Sequence, residues 1–134
     1  YNKCLLEMQC CTMFDYIRLL DTRIQRMQGS DGVKVIKMNF GMAIMALKAG
    51  FPIRRSGWNG KGLMVFKQVP AHIESDIIPK MQSLPQSAKD LILKGKGFID
   101  YTSQCLIYNE NTGRADSWVP SISDVFAEDW EIVE

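Results

Sequence analysis

Ser56-Gly57-Trp58-Asn59-Gly60-Lys61-Gly62 lies between two strand-like runs, residues 51–55 and 63–69. Asn-Gly between such runs signals a tight antiparallel hairpin, because both central positions of the favoured turn take positive φ. That reading commits the surrounding chain to antiparallel pairing. The glycines expose backbone N–H groups at little steric cost. The tip therefore offers an aromatic face, an amide, an ammonium and bare backbone donors. This set suits an anionic ligand that carries a ring, such as a nucleotide. An ordinary hairpin with a core tryptophan accounts for the same spacing.

Outward from this turn, the elements alternate in type. On its N-terminal side Asn39 is a good helix cap, and the helix over 40–49 ends at Gly50, the preferred residue just past a helix end. Residues 32–37 are a connector with a β-like run, Val33-Lys34-Val35-Ile36. Residues 1–29 read as a long helix. Leu6, Cys10, Met13, Ile17, Leu20, Ile24 and Met27 repeat at spacings of four and three, a heptad seam. Its partner is either the same helix in another subunit or the protein's own core. Leu5, Met8, Phe14, Tyr16 and Leu19 widen the apolar stripe, which favours burial against something broader than one helix.

On the C-terminal side residues 70–76 read as a polar loop, and 77–94 as helical with a break at Pro85. Residues 98–108 alternate as one strand, Asn109 to Gly113 is a turn, and 114–119 return as a strand. Ser121 and Asp124 have capping-box spacing ahead of a short helix. Residues 130–133 form a last strand with Trp130 in the core. The fold class is α+β: an antiparallel sheet of about four or five strands with helices packed on one side, plus an N-terminal helix. Residues 1–37 form an extension and connector, and 38–134 the main domain.

Length and charge narrow the functional classes. A chain of 134 residues carries one domain with a modest core. A formal net charge of +1 gives no global pull toward a nucleic acid polymer or a membrane surface. No apolar run is long enough to span a bilayer. The N-terminal stretch is not expected to be a signal peptide, since Glu7 interrupts it and it lacks a basic flank. The sequence opens at Tyr1 without an initiator methionine, so its true beginning is expected upstream. Cys4, Cys10, Cys11 and Cys105 form no disulfide framework and no zinc pattern, and reduced cytoplasmic thiols are expected.

Catalytic chemistry is hard to assemble. His72 is the single histidine, and no partner is marked for it. The carboxylates Asp100, Asp116, Asp124 and Asp129 show no instructive spacing. A binding site is easier to build. Trp58 and Trp118 sit beside polar turns and Phe40 opens a helix, so their faces can stack on a base. Arg54, Arg55 and Lys61 can meet phosphates. Asn59, Ser121, Ser123 and Asp124 can read ribose hydroxyls or base edges.

Residues 39–50, Asn-Phe-Gly-Met-Ala-Ile-Met-Ala-Leu-Lys-Ala-Gly, followed by Arg-Ser-Gly-Trp-Asn-Gly-Lys-Gly at 55–62, resemble the start of a small phage and prophage domain family. The stretch 83–89 is similar to its middle. Trp118-Val-Pro-Ser-Ile-Ser-Asp-Val-Phe-Ala-Glu-Asp-Trp-Glu-Ile-Val133 resembles its end. The family is the second Thoeris anti-defence family, and the resemblance covers about residues 38 to 134. It implies a phage protein that is not an enzyme; no cofactor or metal is expected. Such proteins sequester cyclic ADP-ribose isomers made by TIR-domain defence proteins, some also bind cyclic dinucleotides, and they assemble as homotetramers with pockets at subunit boundaries. The implied location is the cytoplasm of the infected bacterial host. Carried onto this chain, the resemblance implies ligand contacts at Phe40, Trp58, Asn59, Lys61, Trp118, Ser123 and Asp124, with Arg55 and Ser121 as further candidates. The chain departs from the family in its extension of residues 1–37, and in Ser121-Ile122-Ser123, where the pattern has Ser-Gln-Thr. The alternative reading is a non-catalytic phage structural or interaction module assembling through its N-terminal helix.

Overall fold

Trp130 is the residue on which the layers converge. In the computed structural model, which describes all residues except Asp31, Lys34, Val35 and Ile36, its side chain is fully buried. It opens the last strand, β7 (Trp130–Ile132), and bridges to Met38 through a pair of backbone hydrogen bonds, 2.9 and 3.1 Å. Met38 is thereby the point at which the chain joins the sheet.

The following helix, α2 (Phe40–Lys48), starts and stops as its sequence dictates. The Asn39 side chain accepts from the Met42 N–H at 3.0 Å. At the other end Gly50 takes φ 91°, and the N–H groups of Gly50 and Phe51 return to Leu47 and Ala46. This is a Schellman closure that a residue with a Cβ resists. The α2 face of Met42, Ala43, Ala46 and Leu47 packs on Ile53, Val65 and Trp130 to form the core.

The main sheet has the order β6-β5-β2-β1-β7, and its pairings are all antiparallel. Its spine is the ladder between β2 (Leu63–Gln68) and β5 (Gln104–Asn109). Strands β1 (Ile53–Arg55) and β6 (Arg114–Ser117) flank it, and β7 closes the edge beside β1. Five antiparallel strands with helices added match the α+β expectation.

Three sequence expectations are corrected. The first is the tight hairpin. β1 and β2 share one register pair, Ile53↔Val65, so residues 56–62 form a wide loop. Asn59 and Gly60 do not take positive φ; Gly62 does, at 78°. The second is the single strand over 98–108. It divides into β4 (Ile99–Tyr101) and β5, because the two pieces serve different sheets. The third is the loop over 70–76, which contains β3 (Ala71–Ile73), the partner of β4. One physical cause joins the last two. Pro70 has no N–H to donate and ends the β2 ladder after the Gln68↔Gln104 pair. Pairing lapses there and resumes in the same register at Ala71↔Tyr101.

Between β3 and β4 lie a 3₁₀ turn (Ile78–Lys80), with Ile78 fully buried, and α3 (Gln86–Lys94). The short α4 (Ile122–Val125) precedes β7. At the other end of the chain α1 (Asn2–Met27) is one continuous helix with no buried residue. The β-like run expected at 33–36 lies outside the described residues apart from Val33, which is in no strand. Among the described residues no helix is long and apolar enough to cross a membrane.

Candidate functional site

The pairing of β1 with β7 sets Arg55 opposite Trp130 and beside the loop that leads into β7. Two carboxylates meet its guanidinium there. Nη1 donates to Asp124 Oδ1 at 2.9 Å, and Nε donates to Asp129 Oδ1 at 2.8 Å. The other Asp129 oxygen accepts from the Gly57 N–H at 2.8 Å. A Cβ at residue 57 would lie 2.5 Å from that oxygen, so a side chain there displaces the Asp129 carboxylate or the loop.

Asp124 is the hub. Its Oδ1 accepts from the Trp58 indole N–H at 3.1 Å as well as from Arg55. Its Oδ2 accepts from the N–H and the hydroxyl of Ser121, at 2.9 and 2.7 Å. The Asp124 N–H in turn donates to Ser121 Oγ, completing the capping box that the spacing predicts. Its carbonyl accepts from the Trp130 indole at 3.1 Å. Burial alone would raise the Asp124 carboxyl. The donors from Ser121, then Arg55 and Trp58, outweigh burial and hold it at about 2. Burial also acts on Asp129, and Arg55 and the Gly57 N–H overcome it, so that carboxyl is lowered too. Arg55 is raised by its bonds to Asp129 and Asp124.

Folding therefore favours the ionised forms of both carboxylates. Asp124 falls from 3.8 to about 2, which corresponds to about 2 kcal/mol of stability. That stability is complete above the unfolded value and is lost as pH falls from about 4 toward 2. Urea unfolding at about pH 6 and about pH 2.5 checks this. The expected loss is of that size, and it shrinks in Asp124→Asn, which cannot ionise.

Around Trp130 stand three of the aromatic candidates. Trp58 meets it edge-on at 5.4 Å, Trp118 edge-on at 6.1 Å, and Phe40 tilted at 5.9 Å. All three are half-buried. The fold thus gathers Phe40, Trp58 and Trp118 into one cluster, and Arg55, Trp58, Ser121 and Asp124 into one hydrogen-bond network.

The open space beside this network is a groove of about 450 Å³, within the range of small-molecule sites. The loop contributes Trp58, Gly60, Lys61 and Gly62; β1 contributes Arg54 and Arg55. Glu110 and Glu131 add carboxylates. Arg54 is engaged by Glu131, its cross-strand neighbour. Among the described residues Lys61 has no carboxylate partner, and the N–H groups of Gly60 and Lys61 have no acceptor. Of the candidates read from the sequence, Arg55, Trp58 and Lys61 line the groove. Phe40 and Trp118 support it from behind through Trp130. Asn59, Ser121 and Ser123 are exposed, with the two serine hydroxyls 2.9 Å apart. The Asp124 carboxylate is filled by its own protein donors and faces inward.

Sequence reasoning missed the parts that depend on distant pairing: the Asp129 half of the Arg55 clamp, the Arg54–Glu131 pair and Glu110. No local pattern marks them. The register of β1 against β7 creates the first two, and the ladder between β2 and β5 brings Glu110 to Gly62. His72 lies elsewhere, on β3, bonded to Asp100 and Glu74, which raise its pKa. Among the described residues no cluster of His, Cys, Asp or Glu is placed to hold a metal.

Known proteins bear on this site. Residues 38–133 match the model of the Thoeris anti-defense 2-like domain. That segment begins at Met38, where the chain joins the sheet, and includes every element described above except α1. A curated protein of Bacillus phage SP01, "Thoeris anti-defense 2", is 34% identical over 102 residues, covering 72% of this chain and 96% of that protein. The chain belongs to the Thoeris anti-defense 2-like domain family of phage anti-defence proteins.

Proposed function

We propose that this protein counters Thoeris defence by binding a cyclic nucleotide signal and holding it intact. The ligand class is cyclic ADP-ribose isomers made by TIR-domain enzymes, with cyclic dinucleotides as a second class. The observation that carries this reading is the groove beside the Arg55 clamp. One wall is the half-exposed Trp58 ring, on which a base stacks. The floor carries the unpaired Lys61 ammonium and the free N–H groups of Gly60 and Lys61, a set of donors for a pyrophosphate. Glu110 and Glu131 accept from ribose hydroxyls. Arg55 acts here as a positioning residue, because its guanidinium is already shared between Asp124 and Asp129.

The same groove favours holding over cleaving. The carboxylates behind it, Asp124 and Asp129, are held ionised and engaged by Arg55, so neither is a proton donor near neutral pH, and Glu131 in the groove is paired with Arg54. The site of action is the cytoplasm of the infected cell, where the signal is made. The functional unit is a homotetramer, with neighbouring subunits completing each groove. Isothermal titration of the full chain with cyclic ADP-ribose isomers tests the reading. Saturable binding of at least one isomer is expected, weakened about 10- to 150-fold by Lys61→Ala through loss of a charge-assisted contact worth about 1.5–3 kcal/mol. No heat with any isomer would overturn it.

A further inference from the structure

Helix α1 lies outside the family-matched segment, and it docks on the domain by the opposite face from the one its sequence advertises. Leu19 lines an apolar hollow with Met38, Met42 and Met45, and the bonds between helix and domain are polar. Asp15 Oδ2 accepts from the Asn39 side-chain amide at 2.8 Å, the same side chain that caps α2. Arg18 donates to the Lys37 carbonyl, and Arg26 pairs with Glu134. The partly buried positions of α1 are Asp15, Arg18, Thr22 and Gln25, spaced three and four apart. In heptad terms these are b and f positions. The a positions Cys10, Ile17 and Ile24 and the d positions Leu6, Met13 and Leu20 are on the far side and exposed.

From this arrangement we infer that α1 is a self-association helix, pairing in parallel and in register with α1 of a second copy of this chain. The inference rests on α1 alone and is independent of the proposed ligand. Three observations select the occupant. Exposures from 40% at Leu20 to 84% at Met27, with Phe14 and Tyr16 flanking, present on the order of 800 Å² of surface per helix, what each partner of a stable interface contributes. Isoleucine at a, in Ile17 and Ile24, with leucine at d, in Leu6 and Leu20, is the combination that favours two strands in a parallel coil. Cys10, Met13, Phe14 and Ile17 already enclose a hollow of about 160 Å³. Their spacing, i, i+3, i+4 and i+7, is that of the four-residue hole that receives one side chain of a facing helix. Charge points the same way. The antiparallel register that sets Leu6 against Ile24 brings Glu7 next to Asp21 of the other helix, a like-charge pair, whereas the parallel register keeps them apart.

A parallel pair in register sets Cys10 against Cys10 of the second copy, and leaves Cys4 and Cys11, both at b, apart. Full-length protein treated with a short bis-maleimide, then resolved under denaturing conditions, reads this directly. The expected result is a covalent dimer that disappears in Cys10→Ser and persists in Cys4→Ser and Cys11→Ser. Ile17→Asp, at a position already exposed and outside the folded core, should lower the Cys10 yield at least tenfold. Cross-linking through Cys4 or Cys11 instead, a Cys10 yield indifferent to Ile17→Asp, or a monomer whose seam binds neutral phospholipid vesicles would each overturn the inference. Ligand titration is read separately, so loss of the α1 pair and loss of ligand binding are distinguishable.

Discussion

Asp124→Ala is expected to lower the unfolding free energy by about 3–5 kcal/mol, the cost of breaking one side of a largely buried ion pair. Removing this carboxylate strips four donors at once: Arg55 Nη1, the Trp58 indole, and the N–H and hydroxyl of Ser121. The side chains of Arg55 and Asp124 are 17% and 10% exposed, so water compensates little. Loss of the capping box contributes about 1 kcal/mol of the total. Asp124→Asn keeps an oxygen acceptor and the side-chain shape but gives up the charge, and is expected to cost roughly half as much. Urea unfolding should show a lower midpoint at unchanged slope. A loss below about 1 kcal/mol for Asp124→Ala would show that the network contributes nothing beyond an ordinary cap.

Trp58→Ala is expected to weaken cyclic ADP-ribose binding by about 5- to 150-fold, the range that loss of one base-stacking face gives. The same change removes the indole bond to Asp124 and the edge contact with Trp130, so a stability loss of about 2–3 kcal/mol accompanies it. Trp58→Phe separates the two effects. It keeps a ring for the base and loses the indole N–H, so affinity should recover to within a few-fold of wild type while part of the stability loss remains. Titration calorimetry and thermal unfolding on the same samples check both. A Trp58→Ala chain that binds as tightly as wild type would remove the tryptophan from the site.

Local signals in the sequence translated well into structure. Asn39 and Gly50 bound α2 because caps act within one turn of helix, and Ser121 with Asp124 forms the capping box for the same reason. Trp130 is buried as its alternating strand requires. What failed was non-local. Asn59-Gly60 looks like a two-residue turn, but β1 is drawn to β7 and meets β2 at one pair, so the loop opens into a groove wall. The division of 98–108 depends on where Pro70 falls in the opposite strand. The candidate aromatics were legible as residues, but their convergence on Trp130 was not, because it requires α2, the 56–62 loop and the segment after β6 to meet. Asp124 reads from sequence as a ligand contact, and the fold spends its carboxylate on Arg55, Trp58 and Ser121. The α1 seam was visible, yet a periodic stripe does not say which face docks. Here the polar stripe does, through Asp15, Arg18 and Arg26.

The central claim is that the signal is captured without being changed. The most direct measurement incubates the full chain with a cyclic ADP-ribose isomer, removes unbound ligand, denatures the protein by heat and identifies what is released by mass spectrometry. The account predicts release of the cyclic nucleotide at its original mass, in stoichiometric amount, after any length of incubation. Release of a linear or hydrolysed product, or of no nucleotide at all, would contradict it.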